Sequence, residues 1–183
     1  DSEMKRSLIL GTLAMCLTLS SAIFANTVTV AAPTRTEIKR LVVEEAAATR
    51  IPPSLALAVA KVESDFQAEA LSHKGARGVM QIMPSTAELK FGVAADELWD
   101  ARLNVQLGLD FLEQLIERYD GSWDLALSHY NGGTLLGTGI KARPHGHTRR
   151  YVNSVLRWQR RYANQEKIWR LTRAANPKNA WVP

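Results

Sequence analysis

Residues 55–87, LALAVAKVESDFQAEALSHKGARGVMQIMPSTA, open as an apolar run, deliver Glu63 and Ser64, and then break into glycines before Met80 and Gln81. No charge falls between Leu55 and Ala60, and Pro52 and Pro53 stand just ahead, where a missing N–H has no intrahelical partner to lose. This predicts a buried helix over residues 54–63. On such a helix the residues three and four before Glu63 are Ala60 and Val59, so the carboxylate projects from the buried stripe. An apolar neighbourhood raises a carboxyl pKa, and a glutamate still protonated near neutral pH can give a proton to a leaving oxygen and take one back. The competing reading leaves Glu63 exposed at the helix end, between Lys61 and Asp65, with no chemistry at all. The loop beyond favours the functional reading, because Gly75 and Gly78 permit a close turn and Gln81 brings an amide close in sequence to the acid.

Working outward, helical patterns recur and no alternating strand stands out. Thr34 and Glu37 have capping-box spacing ahead of IKRLVVEEAAA, with Ile38, Leu41 and Val42 on one face and Arg50 marking the end. PSTAELK predicts a short helix stopped near Gly92. DARLNVQLGLDFLEQLIERY predicts a long one with Leu103, Leu107, Phe111, Leu112, Leu115 and Tyr119 on one face. SWDLALSHY predicts another, ended by Asn131-Gly132-Gly133. The expected fold class is therefore mainly α, and 183 residues, 46% hydrophobic and 22% charged, suit one core better than two.

The first segment reads differently. From Met4, MKRSLILGTLAMCLTLSSAIFA has a basic start and a long uncharged run, the pattern of an export signal, with small-residue cleavage sites after Ala22 or Ala25. Residues 1–25 are assigned to this signal, with Met4 as the natural start and Asp1-Ser2-Glu3 as non-native. Lipid attachment at Cys16 ranks second, because Met15 and the apolar Leu17-Thr18-Leu19 fit a lipoprotein signal poorly, and an uncleaved anchor ranks third. Cys16 is the only cysteine, so cleavage after Ala25 leaves no disulfide and no thiolate metal site. The expected location is the periplasm or cell envelope, in soluble form.

Charge is uneven along the exported part. Residues 26–138 hold 10 Lys+Arg against 15 Asp+Glu, a balance of −5, whereas residues 139–173 hold 10 Lys+Arg against Glu166 alone, a balance of +9. TRRYVNSVLRWQRRY interleaves arginine with aromatics, as nucleic-acid surfaces do, but export argues against that partner. Val152, Val155, Leu156 and Trp158 recur at helical spacing, which favours an amphipathic helix with a solvated arginine face; a third reading has that face meet an anionic envelope polymer. His145 and His147, with His73 and His129 elsewhere, lack a third ligand at a recognisable metal spacing, so no metal is assigned. Trp99 and Trp123, at helix starts, read as core, and Gly137 and Gly139 as a flexible loop over a cleft.

Four short motifs then resemble, in order and approximate spacing, those of the soluble-lytic-transglycosylase-like (SLT, family 1) murein lytic transglycosylases. They are ES at Glu63-Ser64, GVMQ at residues 78–81, YNGG at residues 130–133 and TRRYV at residues 148–152. The resemblance covers roughly residues 36–162. The family usually has Leu where Val79 stands, and Ala-Ala-Tyr-Asn-Ala-Gly where this chain has SHYNGG.

The resemblance implies a lysozyme-like helical domain over residues 36–163, with loops lining a glycan-binding cleft, followed by a basic tail over 164–183. It implies peptidoglycan glycan strands as substrate, no cofactor and no metal. Glu63 would protonate the oxygen between N-acetylmuramic acid and N-acetylglucosamine, then as a base deprotonate the muramoyl C6 hydroxyl so that a 1,6-anhydro ring closes. Ser64 would orient the carboxyl or the N-acetyl group, Met80, Gln81 and Asn131 would line the sugar sites, and Tyr130 and Tyr151 would contact the acid or the adjacent sugar. No obvious second carboxylate accompanies Glu63, since Asp65 points away and Glu69 is expected on the following loop, and a substrate-assisted route, in which the sugar's own N-acetyl group stabilises the positive centre, needs only one acid. The alternatives are a hydrolytic lysozyme-type muramidase and a non-catalytic peptidoglycan-binding component of an envelope secretion or pilus machine. A monomer is expected.

Overall fold

In the computed structural model the described residues are 32–175. The signal segment, Cys16 and the final residues 176–183 lie outside them. Helix α1 (Arg35–Ala46) begins with the expected capping box, in which Thr34 Oγ1 accepts from the Glu37 N–H at 3.3 Å and the Thr34 N–H donates to Glu37 Oε2 at 2.7 Å. It ends at Ala46, earlier than Arg50, and Arg50 instead pairs with Glu113 at 2.8 Å.

Helix α2 (Pro53–Ser64) is the axis of the core. Leu55, Ala56, Ala58, Val59 and Ala60 are wholly buried, so the helix is covered nearly all round, as its uncharged sequence requires. Each such leucine or valine contributes roughly 1.5–3 kcal/mol when removed from water. A short α3 (Pro84–Thr86) widens into a π-turn over Ala87–Phe91 and stops at Gly92, whose φ of 66° suits glycine. Helix α4 (Ala101–Arg118) is capped by Asp100, whose carboxylate accepts from the Leu103 N–H at 2.8 Å.

The predicted apolar face of α4 is only part of its buried surface. Leu107, Leu112 and Leu115 are buried, Leu103, Phe111 and Tyr119 only partly, and Val105 and Leu109 are wholly enclosed as well. The reason is that α1 covers one side of α4 and α5 (Trp123–Gly132) another. Trp99 is not core: it is 37% exposed, with the Arg77 guanidinium 5.1 Å above its ring. Trp123 is partly buried against the core. Helix α6 (Arg149–Ala175) packs along α2 and runs unbroken past residue 163, so residues 164–175 of the expected basic tail are helical. Among the described residues there is no strand, only isolated bridges, and no helix is long and apolar enough to cross a membrane.

Candidate active site

Glu63 occupies the last turn of α2, one residue before its end. Immediately beyond, Asp65 and Phe66 both take left-handed backbone, with φ of 53° and 63°, so the chain turns sharply away from the acid. Phe66 is buried and anchors that turn. Asp65 is held on the far side by Lys61 and by Arg35 at 3.0 Å, and the Lys61 ammonium, its hydrogen-bond donor, keeps its carboxyl below the usual range. Glu69 is exposed.

Two tyrosines enclose the acid. Tyr151, near the start of α6, donates its hydroxyl to Glu63 Oε1 at 2.6 Å. Tyr130, near the end of α5, donates to the Met80 carbonyl at 2.9 Å. Burial is the main cause of the raised pKa of both phenols, with the nearby Glu63 carboxylate adding to it, so both stay protonated donors. Burial likewise pushes the Glu63 carboxyl up to about 7, with the Tyr151 hydrogen bond pulling the other way. Glu63 nonetheless keeps a partly accessible surface, as a group that trades protons with a substrate must. With Oε1 bonded to the Tyr151 hydroxyl, Oε2 is the oxygen that can carry the exchangeable proton.

The turn over residues 78–81 is fastened by side chains from three helices. Arg77 and Ile82 exchange backbone hydrogen bonds at 3.0 Å, and Gly78 and Gln81 bend between them with φ of 75° and 50°. Ser64 Oγ from α2 donates to the Val79 carbonyl at 2.7 Å, and Tyr130 from α5 ties the Met80 carbonyl. Asn104 from α4 accepts from the Met80 N–H at 2.8 Å and donates to the carbonyls of Arg77 and Leu98 at 2.8 and 3.0 Å. Gly78 permits this fastening, since a Cβ there would sit 2.4 Å from Asn104 Nδ2. Gly108 serves the same end one turn along α4, where a Cβ would meet Met80 Cβ at 2.5 Å.

The structure therefore gathers Glu63, Ser64, Met80, Gln81, Tyr130 and Tyr151 but gives several of them different work from that expected. The Ser64 hydroxyl is buried and directed at the Val79 and Ala60 carbonyls, which makes it a fastening for the turn and not an orienter of the carboxyl. The Met80 side chain is wholly buried against Gly108, so it is withdrawn from any sugar and Met80 contributes to the turn through its backbone. The Gln81 Nε2 is spent on the Ala70 and Gly78 carbonyls at 3.0 Å each, leaving its Oε1 as the atom to offer a ligand. Asn131 is exposed at the end of α5. Asn104 and Gly108 are absent from the sequence-based site. An amide within the apolar stretch Leu103–Leu109 was the available signal, because a buried polar side chain must be bonded.

No second carboxylate among the described residues acts on Glu63, whose pKa is set by burial and Tyr151 alone. Nor does any group of three or more His, Cys, Asp or Glu among the described residues gather as a metal site would require. The model of the transglycosylase SLT domain matches residues 40–147, more than half of the chain. The chain belongs to the transglycosylase SLT family. An Alteromonas protein named for tributyltin chloride resistance is 32% identical over 76% of this chain and 69% of its own length. The soluble lytic murein transglycosylase of Escherichia coli K12 is 29% identical over 61% of this chain, which spans only 21% of that enzyme. Among solved structures, an inactive Glu-to-Gln mutant of the lytic transglycosylase Slt from Pseudomonas aeruginosa superposes with a TM-score of 0.59 at 30% identity, covering 69% of this chain and 24% of that one. The lysozyme-like SLT fold expected from the motifs is thus the fold observed.

In this SLT domain the Tyr151 contact makes a measurable prediction. With Glu63 taken as a general acid, which acts in its protonated form, turnover is expected to fall on the alkaline side with a midpoint near the Glu63 value of about 7. The Tyr151 hydrogen bond favours the ionised form, so Tyr151→Phe should move that limb to higher pH while lowering kcat. A limb that stays put or moves to lower pH in a folded Tyr151→Phe variant would show that the group behind the limb is not the Glu63 carboxyl bonded to Tyr151.

Proposed function

We propose that this chain is a peptidoglycan lytic transglycosylase in which Glu63 alone supplies the acid and the base. The observation that carries the reading is the buried, elevated Glu63 carboxyl bonded to Tyr151 with no carboxylate partner, in a chain of the SLT family. Protonated Glu63 gives its proton to the glycosidic oxygen between N-acetylmuramic acid and N-acetylglucosamine as that bond breaks. The adjacent N-acetyl group stabilises the positive C1 centre, the task that a second carboxylate performs in most glycosidases. The carboxylate so formed takes the proton from the muramoyl C6 hydroxyl, whose oxygen closes on C1 and gives a 1,6-anhydro end. Glu63 is thereby reprotonated, and no water is consumed.

Gln81 Oε1 and Asn131 are the groups proposed to meet the sugars, with Tyr130 and Tyr151 enclosing the acid between them. The same reading places the domain at residues 36–163, behind an export signal that delivers it to the cell envelope as a monomer. Service to an envelope secretion or pilus machine belongs to this proposal as well. Mass spectrometry of digested sacculi tests the chemistry. Muramoyl ends lighter by one water are the expected product, and reducing ends alone would assign the site to a hydrolytic muramidase instead.

A further inference from the structure

The charge balance of +9 over residues 139–173 takes a definite shape where α6 begins. Gly146, His147, Arg149, Arg150, Asn153 and Arg157 line an open groove of about 500 Å³, and all six are exposed. At 3.6 residues per turn, Arg149, Asn153 and Arg157 stand on one side of α6, roughly opposite the buried Val152 and Val155 that face the core. Arg160 continues the same side, which spans ~16 Å from Arg149. The groove is thus turned away from the helix side that presents Tyr151 to Glu63.

Among the described residues no ion pair engages Arg149, Arg150 or Arg157, whereas Arg35, Arg50, Lys61, Arg77 and Arg102 are each paired with an acid. Arg157 donates to a neutral hydroxyl, Ser154 Oγ, at 3.4 Å. Guanidinium groups crowded without acids repel one another, and an arginine fork matches a carboxylate in a bidentate way. Among the described residues the large exposed apolar side chains, Leu71, Met83, Leu89, Trp99 and Leu136, lie on other segments, so the residues that line the groove supply no wedge to insert into a bilayer. A concave groove lined by three arginines fits discrete carboxylates on a flexible arm better than a flat lipid surface.

We propose that the groove is a docking site for the free carboxylates of the peptide arms on a second glycan strand, one that lies alongside the strand being cut. This rests on the peptidoglycan substrate proposed above, and it gives the domain a hold on the intact meshwork that is independent of its cleft. The site would act on association with sacculi and would leave the chemical step untouched.

The test compares the full chain with an Arg149→Gln/Arg150→Gln/Arg157→Gln variant and with the corresponding Arg→Lys variant, which keeps the charge and controls for folding. Cosedimentation with intact sacculi is measured on a Glu63→Gln background, so that nothing is digested, and turnover is measured separately on short soluble muropeptides. At low ionic strength the Gln variant should lose ~10-fold in sacculus binding, converging with the parent as salt rises, and the Lys variant should recover part of the loss. Short-substrate kcat/KM should stay within about 2-fold, because the three arginines are exposed and none is hydrogen-bonded to Glu63 or Tyr151, and exposed charges add little to the chemical step. Amidating the sacculus carboxylates should abolish the difference between parent and variant.

Equal sacculus binding by parent and Gln variant overturns the proposal, as does a difference that survives amidation. Loss of short-substrate turnover in the Gln variant would also overturn it, by placing these arginines in the cleft. Selective loss of binding to phosphatidylglycerol vesicles, with sacculus binding intact, would assign the face to the bilayer. Failure of the parent itself to produce anhydro ends would defeat the proposed function while leaving the binding result to stand alone.

Discussion

Glu63→Gln is expected to lower turnover of peptidoglycan by ~10²–10⁴-fold or more while leaving fold and glycan binding intact. The amide keeps the shape of the carboxyl and its Oε1 can still accept from the Tyr151 hydroxyl, but it can neither donate nor recover a proton. The substitution should also change stability in a pH-dependent way. Burial raises the folded pKa of Glu63 to about 7, above that of the unfolded chain, so the folded state holds this proton more tightly than the unfolded state does. Stability from this group is therefore fully present below the unfolded value and is lost as pH rises through about 7. Above that pH the parent carries a buried carboxylate that the Gln variant lacks. The variant should then be the more stable by ~1–3 kcal/mol, with the advantage fading towards acid pH. Substantial turnover by a folded Glu63→Gln variant would defeat the single-acid mechanism. Melting curves that differ equally at every pH would show that the carboxyl is not held in an apolar setting. Asp65→Asn and Glu69→Gln are the matching controls, and both should retain turnover, since Asp65 is engaged with Lys61 and Arg35 and Glu69 is exposed.

Asn104→Ala should be the most damaging substitution that touches no reacting group. The buried amide accepts once and donates twice, and its loss strands the Met80 N–H and the Leu98 carbonyl, while the Arg77 carbonyl keeps only the Ile82 N–H. Leaving such groups buried without partners costs ~1–3 kcal/mol each, so a total of ~3–5 kcal/mol and a drop in Tm of ~10 °C are expected. Asn104→Asp should be no rescue, because a carboxylate cannot donate to two carbonyls. Turnover should fall along with stability, since the residue 78–81 turn carries Gln81 towards the site. Gly78→Ala attacks the same joint from the other side, adding a Cβ 2.9 Å from the Leu98 carbonyl at a φ of 75°. An Asn104→Ala protein that melts within ~2 °C of the parent would show that the turn is held by something else.

The helices were legible because their signals are local. The Thr34–Glu37 box, the prolines before α2, Asp100 ahead of α4 and the glycine at residue 92 each act within a few residues of the boundary they set. Glu63 was legible for a similar reason, since a carboxylate at the end of an uncharged helical run must lie beside buried residues whatever packs on that helix. Trp99 and the second buried side of α4 were misread because burial depends on which partners arrive, and hydrophobicity alone does not name them.

By itself the sequence determined where α1, α2 and α4 begin, that α2 is buried, and that one glutamate stands at its end. Only the tertiary structure decided what surrounds that glutamate. Tyr151 lies 88 residues further along the chain from Glu63 and Asn104 lies 24 from Met80, separations across which no helical or turn periodicity carries information. Ser64 follows Glu63 directly and Met80 precedes Gln81, yet their side chains turn inward to hold the loop, because a buried hydroxyl must find an acceptor and a buried thioether must fill space. The direction of a side chain at a site is set by what the rest of the fold leaves open to it, and that is known only once the helices have packed.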